Sequence, residues 1–386
     1  MVEVVTTVHE GKTVAVSPRR SELLAVATDN PVVGIYDRRN MDKRHELAFY
    51  VTHVAFSNLT SHVIANYGRS SVYLFDLESK QENNFFHKLT KMVDDKEEVM
   101  VVDNLDNNHI SDFVANVNSK GAELMKSKKF MKYIEWFNEH LTKDMSGKER
   151  SSLLLKRSLG FSQRRWEGDS YATARDCVDA SLLYRQDATS FVRLAQSLIQ
   201  LEQFDLAQDV LNSYTIRFPN GAPSIDSLLS SIEDGRGQGR LVKTLKQLHA
   251  GRIDYELRLT GHTNEATDIK EANLFGPREE YIVAGSDCGN IFIYERETGN
   301  VKALLKGDSN ITNIVQPHPS LPLLASSAHL WAPFNDEQLP LSKGECRRIE
   351  CKDFEPESRV RNSQRMLMDM LLIQRLNEER PECIMS

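Results

Sequence analysis

The sequence predicts a mixed fold in which short β-strands at both ends of the chain flank an inserted all-α repeat domain. Three observations carry that prediction. In the first eighty positions, apolar residues come in short runs broken by turn residues. Between about residues 111 and 231 they fall three and four apart, and small residues recur every 37 positions. From Tyr255 onward the short runs return. A period of two against one of three to four residues is what separates strand from helix.

The first strands are predicted at Lys12–Pro18, Leu23–Asp29, Val32–Arg38, Val51–Ser57, His62–Gly68 and Ser71–Leu77, two sets of three. Thr28 precedes Tyr36 by eight residues, Tyr67 precedes Phe75 by eight, and Asp37 and Asp76 are 39 apart. That interval approaches the ~40–45 residues of one WD40 β-propeller blade. Gly261-His262, Tyr281–Asp287 and Asn290–Tyr294 read as a third blade, with Glu295 where Asp37 and Asp76 stand. Ile311–Pro317, Leu321–Ser327 and His329–Trp331 begin a fourth, shortened because Ser327 and Trp331 are four residues apart instead of eight. The expectation is an incomplete propeller of about four blades.

In the helical region Gly121, Ser158 and Ala195 are each followed three residues later by a large side chain, Leu124, Phe161 and Leu198. Phe191, Leu194, Ala195, Leu198, Phe204, Ala207, Leu211 and Pro219 fit the tetratricopeptide pattern, in which small residues let paired helices approach closely. The middle unit carries extra residues around Trp166-Glu167-Gly168-Asp169, read as a loop between its two helices. The expected division is blades in 1–92, an acidic linker in 93–110, the helical repeats with a capping helix in 111–234, a linker in 235–254, further blades in 255–335 and a polar tail in 336–386. That tail holds one amphipathic stretch at Met366–Leu376.

Composition narrows the function. Lys and Arg number 48 against 55 Asp and Glu, a net charge of -7, which argues against binding to nucleic-acid phosphates as the main activity. No apolar stretch is long enough to span a bilayer, and Met1–Gly11 lacks the basic and apolar regions of a secretory signal. Five scattered cysteines without CxxC spacing fit reduced thiols, hence cytoplasm or nucleus, with no metal and no cofactor expected. Gly11-Lys12-Thr13 ends like a phosphate-binding loop, but Thr6 stands where the first glycine is needed and a strand follows. No hydrolase, kinase, zincin or dinucleotide-binding signature is present, so the chain is not expected to be an enzyme.

Two structural expectations follow from motif position. His262 is expected to support a blade by hydrogen bonding to Asp287. Tyr36-Asp37-Arg38-Arg39 closes the third strand of the first blade and would place the Arg39 guanidinium on a propeller rim, where its planar fork can pair with carboxylate or backbone oxygens. The alternative is a solvated arginine in a turn. In the second blade the corresponding residue is Glu78, so only one blade qualifies.

Strand repeats, helical repeats and strand repeats in one chain, with the block Leu259–Asn273, Tyr281–Asp287 and Gln316-Pro-His-Pro319, resemble the adipose family of WD and tetratricopeptide repeat proteins. The resemblance covers about Thr7 to Pro333. It implies a substrate receptor of a cullin-4 ubiquitin ligase that docks on the damage-specific DNA-binding protein 1 (DDB1) adaptor, with links to histones, a histone deacetylase and restraint of fat storage. The family's adaptor box maps onto Tyr36, Asp37 and Arg39. Its full propeller implies further blades upstream of Val2, so this chain reads as a short form. The other reading is a ligase-independent scaffold whose helical groove binds a peptide. The expected inward residues are Asn118, Ala122, Met125, Lys126, Leu155, Leu159, Val192 and Gln196. One lysine and one asparagine there do not make a clamp for a terminal carboxylate, so an apolar or mixed groove is predicted.

Overall fold

A computed structural model describes residues 11–28, 32–37, 40–48, 51–80, 84–94, 112–219, 225–237, 253–326, 329–332 and 348–349. They divide into two compact units, one of sheets drawn from both ends of the chain and one of helices between them.

Four antiparallel sheets make the first unit. Sheet 1 runs β1 (Gly11–Val16), β2 (Leu23–Thr28), β3 (Val32–Asp37) and β4 (Asn40–Ala48). Sheet 2 runs β5 (Val51–Phe56), β6 (His62–Tyr67), β7 (Val72–Asp76) and then β8 (Leu257–Leu259). Sheet 3 comprises β9 (Ala272–Phe275), β10 (Tyr281–Gly285), β11 (Asn290–Glu295) and β12 (Val301–Lys306), with β16 (Arg348–Ile349) on the β12 edge. Sheet 4 is β13 (Val315–Pro317), β14 (Leu324–Ser326) and β15 (His329–Trp331).

Strand alternation sends successive side chains to opposite faces. Ala65, Tyr67, Tyr73 and Phe75 of sheet 2 therefore pack with Ala25, Val33 and Ile35 of sheet 1. Ile64, Val72 and Leu74 point the other way, onto Ile282, Ala284, Phe292 and Tyr294 of sheet 3. Val283 and Ile291 of sheet 3 meet Val315 and Leu324 of sheet 4. Sheets 2 and 3 are thus covered on both faces, which is why their strands read as continuous apolar runs in the sequence.

Three elements differ from the sequence expectation. The first set has a fourth strand, β4, whose sequence Asn-Met-Asp-Lys-Arg-His-Glu-Leu-Ala carries no apolar alternation. The helical insertion lies inside sheet 2 and not between two blades: Val72 pairs with Leu259 and Leu74 with Leu257. Gly261-His262 belongs to a loop, and sheet 3 begins with β9.

The helical unit holds α1 (Phe85–Asp94), α2 (Asp112–Lys126), α3 (Phe130–Leu141), α4 (Gly147–Arg164), α5 (Asp169–Leu183), α6 (Ala188–Gln200), α7 (Phe204–Arg217) and α8 (Asp226–Gly237). The expected blade boundary at residue 92 falls within α1, whose buried Phe85, Leu89 and Met92 join the helical core. Ser146 caps α4 in a capping box with Glu149, and Asp187 caps α6 through the Thr189 N–H at 2.8 Å. Gly121 is required by close approach: a Cβ there would lie 2.8 Å from the Phe137 ring of α3. Ile232 of α8 and Ile225 just ahead of it are buried in the helical core. Of the expected linkers, residues 95–110 and 238–252 lie outside the described residues, as does the Met366–Leu376 stretch. No helix among the described residues is long and apolar enough to cross a membrane.

Candidate functional site

Two of the three residues expected to bind an adaptor, Tyr36 and Asp37, sit at the end of β3 in sheet 1. Tyr36 is half-buried near the end of β3, and its ring lies over Gly34, where a Cβ would come within 2.5 Å of it. Asp37 pairs with Asn40 across the β3–β4 connection. Arg39, and the Asp37 side chain, lie outside the described residues.

The equivalent acids of the neighbouring sheets are turn anchors. Asp76 accepts hydrogen bonds from Ser61 Oγ at 2.5 Å and the Glu78 N–H at 3.0 Å. Burial pushes its carboxyl up, but those bonds outweigh it and hold the pKa below the ordinary value. Glu295 accepts from Thr298 Oγ1 at 2.9 Å. In sheet 1 the serine position is taken by Glu22, which is bridged to Arg20 at 3.2 Å. The serine–aspartate tie of sheet 2 is therefore not repeated there.

His262 and Asp287 occupy one buried polar network between sheets 2 and 3 but do not bond to each other. The partner of Asp287 is Lys270, whose ammonium lies 2.8 Å from the carboxylate and whose side chain is wholly out of solvent. Lys270 also donates to Asn313 Oδ1 at 2.9 Å, and Asp287 Oδ2 accepts the Ala266 N–H at 3.0 Å. Burial pushes Asp287 up, yet the bonds from Lys270 and the backbone leave its pKa lowered. His262 Nε2 lies 3.1 Å from Asn66 Oδ1 and Nδ1 lies 3.4 Å from the Tyr294 hydroxyl. Asn66 Oδ1 also accepts from Asn264, so it is an acceptor and Nε2 carries the proton. Burial, reinforced by the nearby Lys270 charge, pushes the imidazole down to about 4. Lys270 was missed from the sequence because an isolated lysine ahead of a strand reads as a surface residue.

In the helical unit the first helices of the three pairs stand side by side, α2 by α4 and α4 by α6. The 37-residue recurrence puts Asn118, Leu155 and Val192 at matching positions along them. Asn118 is half-buried and its Oδ1 has no hydrogen-bond partner among the described residues; Leu155 is buried and Val192 and Met125 are half-buried; Lys126 and Gln196 are exposed. The arginines nearby are used internally. Arg193 of α6 reaches back to the Leu155 carbonyl and to Ser158 Oγ at 2.9 Å. Arg157 grips Asp176 of α5 with two bonds of 2.9 and 2.7 Å and reaches Asn138 of α3 at 3.0 Å. These guanidiniums tie helices together, so the face offers apolar surface, the two amides of Asn118 and Gln196 and one lysine.

No group of three or more His, Cys, Asp or Glu able to hold a metal occurs among the described residues. No protein-family model matches the chain. It is 29% identical over 95% of its length to human WD and tetratricopeptide repeats protein 1, covering 68% of that protein. The mouse protein of the same name is 29% identical over 84% of the chain, which spans 63% of it. The chain resembles the WD and tetratricopeptide repeat proteins. Shorter matches are 36% identity over 131 residues to mouse DDB1- and CUL4-associated factor 6, and 42% over 88 residues to ALTERED SEED GERMINATION 2 of Arabidopsis thaliana. These cover 32% and 22% of the chain. The order along the chain of antiparallel strands, helices and antiparallel strands is in keeping with that resemblance.

Proposed function

We propose that this WD and tetratricopeptide repeat protein is a non-enzymatic substrate receptor of a cullin-4 ubiquitin ligase, docking on the DDB1 adaptor through the Tyr36, Asp37 and Arg39 end of sheet 1. The observation that carries the reading is the aromatic-Asp-x-Arg sequence Tyr36-Asp37-Arg38-Arg39 at the end of β3, where sheet 2 has Phe75-Asp76-Leu77-Glu78 and sheet 3 has Tyr294-Glu295-Arg296-Glu297. An arginine beside such an acid can offer a planar fork to a partner's oxygens. The name of DDB1- and CUL4-associated factor 6 among the relatives supports the same partner. Histones and a histone deacetylase, restraint of fat storage, and residence in cytoplasm and nucleus belong to this reading by resemblance.

The test is co-purification of the adaptor with the wild-type chain and with Arg39→Ala and Arg39→Glu. Adaptor retained by wild type and lost from both variants is expected; a wild-type chain that captures none overturns the receptor role. The second reading, a ligase-independent scaffold, is favoured by the mixed face of Asn118, Leu155 and Val192, which suits a peptide that supplies a backbone N–H to the Asn118 amide oxygen.

A further inference from the structure

The turns that join the helices of the three pairs share one backbone feature. Lys128, Arg165 and Glu202 stand 37 residues apart, each between the two helices of its pair, and each has a positive φ, 55°, 58° and 57°. Glycine takes this left-handed conformation without steric cost. Here two of the three positions hold a cation instead. The cations continue around those two turns. Lys126, Lys128, Lys129 and Lys132 fall within seven residues, and no acid occurs between Glu123 and Glu135 or between Glu149 and Glu167.

Lys126, Lys128, Lys129 and Arg165 are exposed and form no ion pair among the described residues. The acids beside them are engaged: Glu123 is paired to Lys120 at 2.8 Å, and Asp169 is held by Arg164. The two turns adjoin, since Arg164 comes within 2.8 Å of the Sδ of Met131, two residues after Lys129. Helices in contact lie about 8–10 Å apart. Three or four extended residues, at about 3.3 Å each, therefore reach from one turn to the other.

We propose that this edge of the array, formed by the α2–α3 and α4–α5 turns, docks a short acidic segment of another protein, whose carboxylates pair with Lys126, Lys128, Lys129 and Arg165. The inference stands on the helical unit and not on the adaptor assignment. A strained conformation kept by a charged residue where glycine would fit freely is typical of a functional position. The cationic stretch is also short, because the third turn carries an acid, Glu202. A long polyanion laid along the edge meets that acid, and a chain of net charge -7 repels it from a distance. A bilayer would need an apolar anchor. Among the described residues of the helical unit, the exposed large apolar side chains, Leu183 and Ile216, stand at the far ends of α5 and α7, away from these turns.

Fluorescence anisotropy of a labelled deca-glutamate peptide, titrated with the full 386-residue chain, tests the proposal. Wild type is expected to bind the peptide, and more weakly as salt is raised. The double variant Lys128→Gly with Arg165→Gly removes two charges and puts glycine at both positive-φ positions. Its melting temperature is expected to be unchanged or higher, while its affinity falls about tenfold. Lys126→Glu with Lys129→Glu loses the binding, and Arg150→Ala, at the other end of α4, keeps it. Three results overturn the proposal: a wild-type chain that ignores the peptide at low salt, a glycine double variant that binds like wild type, or tighter binding to a DNA duplex or to phosphatidylserine vesicles than to the peptide. Arg39→Ala leaves peptide binding unchanged, so failure of this surface and failure of the receptor role are read separately.

Discussion

The Lys270 ammonium lies 2.8 Å from the Asp287 carboxylate with the lysine side chain entirely excluded from solvent. The pair links the loop ahead of sheet 3 to the turn after β10, and its partners are unequal. Asp287 keeps the N–H groups of Glu265 and Ala266 and is 15% exposed, while Lys270 has besides it, among the described residues, only Asn313 Oδ1 and the Thr312 carbonyl.

That asymmetry sets the order of damage. Asp287→Asn leaves a buried ammonium without its counter-charge and is expected to destabilise the sheet unit by about 3–5 kcal/mol. Lys270→Met costs less, and the double variant recovers part of the loss of Asp287→Asn. Urea unfolding followed by tryptophan fluorescence measures all three; a double variant no better than Asp287→Asn contradicts the pairing.

The buried imidazole of His262 makes stability depend on pH. Its folded pKa of about 4 lies below the ordinary 6.5, so the unfolded chain binds the extra proton between those values. Stability is therefore full above about pH 6.5 and falls as pH drops towards 4, by about 3 kcal/mol for this group. His53, also pushed down by burial, acts in the same direction. His262→Asn is expected to flatten part of the decline in the midpoint measured from pH 7 to 4, and an unchanged slope counts against the assignment.

Arg164 and Asp169 form the corresponding fastening in the helical unit. Bonds of 2.9 and 2.7 Å join them, the guanidinium sits 4.2 Å from the Trp166 ring centre, and Asp169 also accepts the Trp166 N–H at 2.8 Å. Both side chains are buried. Asp169→Ala is expected to cost about 3–5 kcal/mol by stranding the arginine. A double-mutant cycle with Arg164→Met, read from the helical transition at 222 nm, should give a coupling of about 1 kcal/mol or more.

Gly160 faces α3 so closely that a Cβ would lie 2.6 Å from the Tyr133 ring. Alanine gains about 1 kcal/mol of helix propensity, but overpacking costs about 1–3 kcal/mol. Gly160→Ala is expected to lower the melting temperature of the helical transition, and a rise would show that Tyr133 yields.

What the sequence discloses follows from where periodicity is enforced. Strands closed on both faces, such as Val72–Asp76 and Asn290–Glu295, announce themselves as apolar runs, and the 37-residue recurrence of Gly121, Ser158 and Ala195 marks helix pairs because close packing demands small residues there. β4 and β8 escape detection because an outer strand and a three-residue edge strand need little apolar patterning. α1 is hidden because its Phe85, Leu89 and Met92 stripe spans only ten residues. Polar partnerships are the least legible: Asp287 chooses Lys270 over His262 through loop geometry, which carries no spacing rule. The recurrence also placed Asn118, Leu155 and Val192 in matching helices without foretelling that Arg157 and Arg193 would be consumed by helix-to-helix bonds.

The pairing of Leu74 with Leu257 gives sheet 2 a history as well as a shape. Its last strand is encoded 183 residues after the strand it completes. At the ~5–20 residues per second of protein synthesis, β7 waits on the order of 10 seconds or longer with an uncompleted edge, while the whole helical unit emerges. Closing a contact of that sequence separation is slow unless the intervening chain has already compacted. The helical array is thus the spacer whose own folding brings the sheet's final strand home, and lesions such as Asp169→Ala are expected to surface first as sheet-unit aggregation in newly made chains.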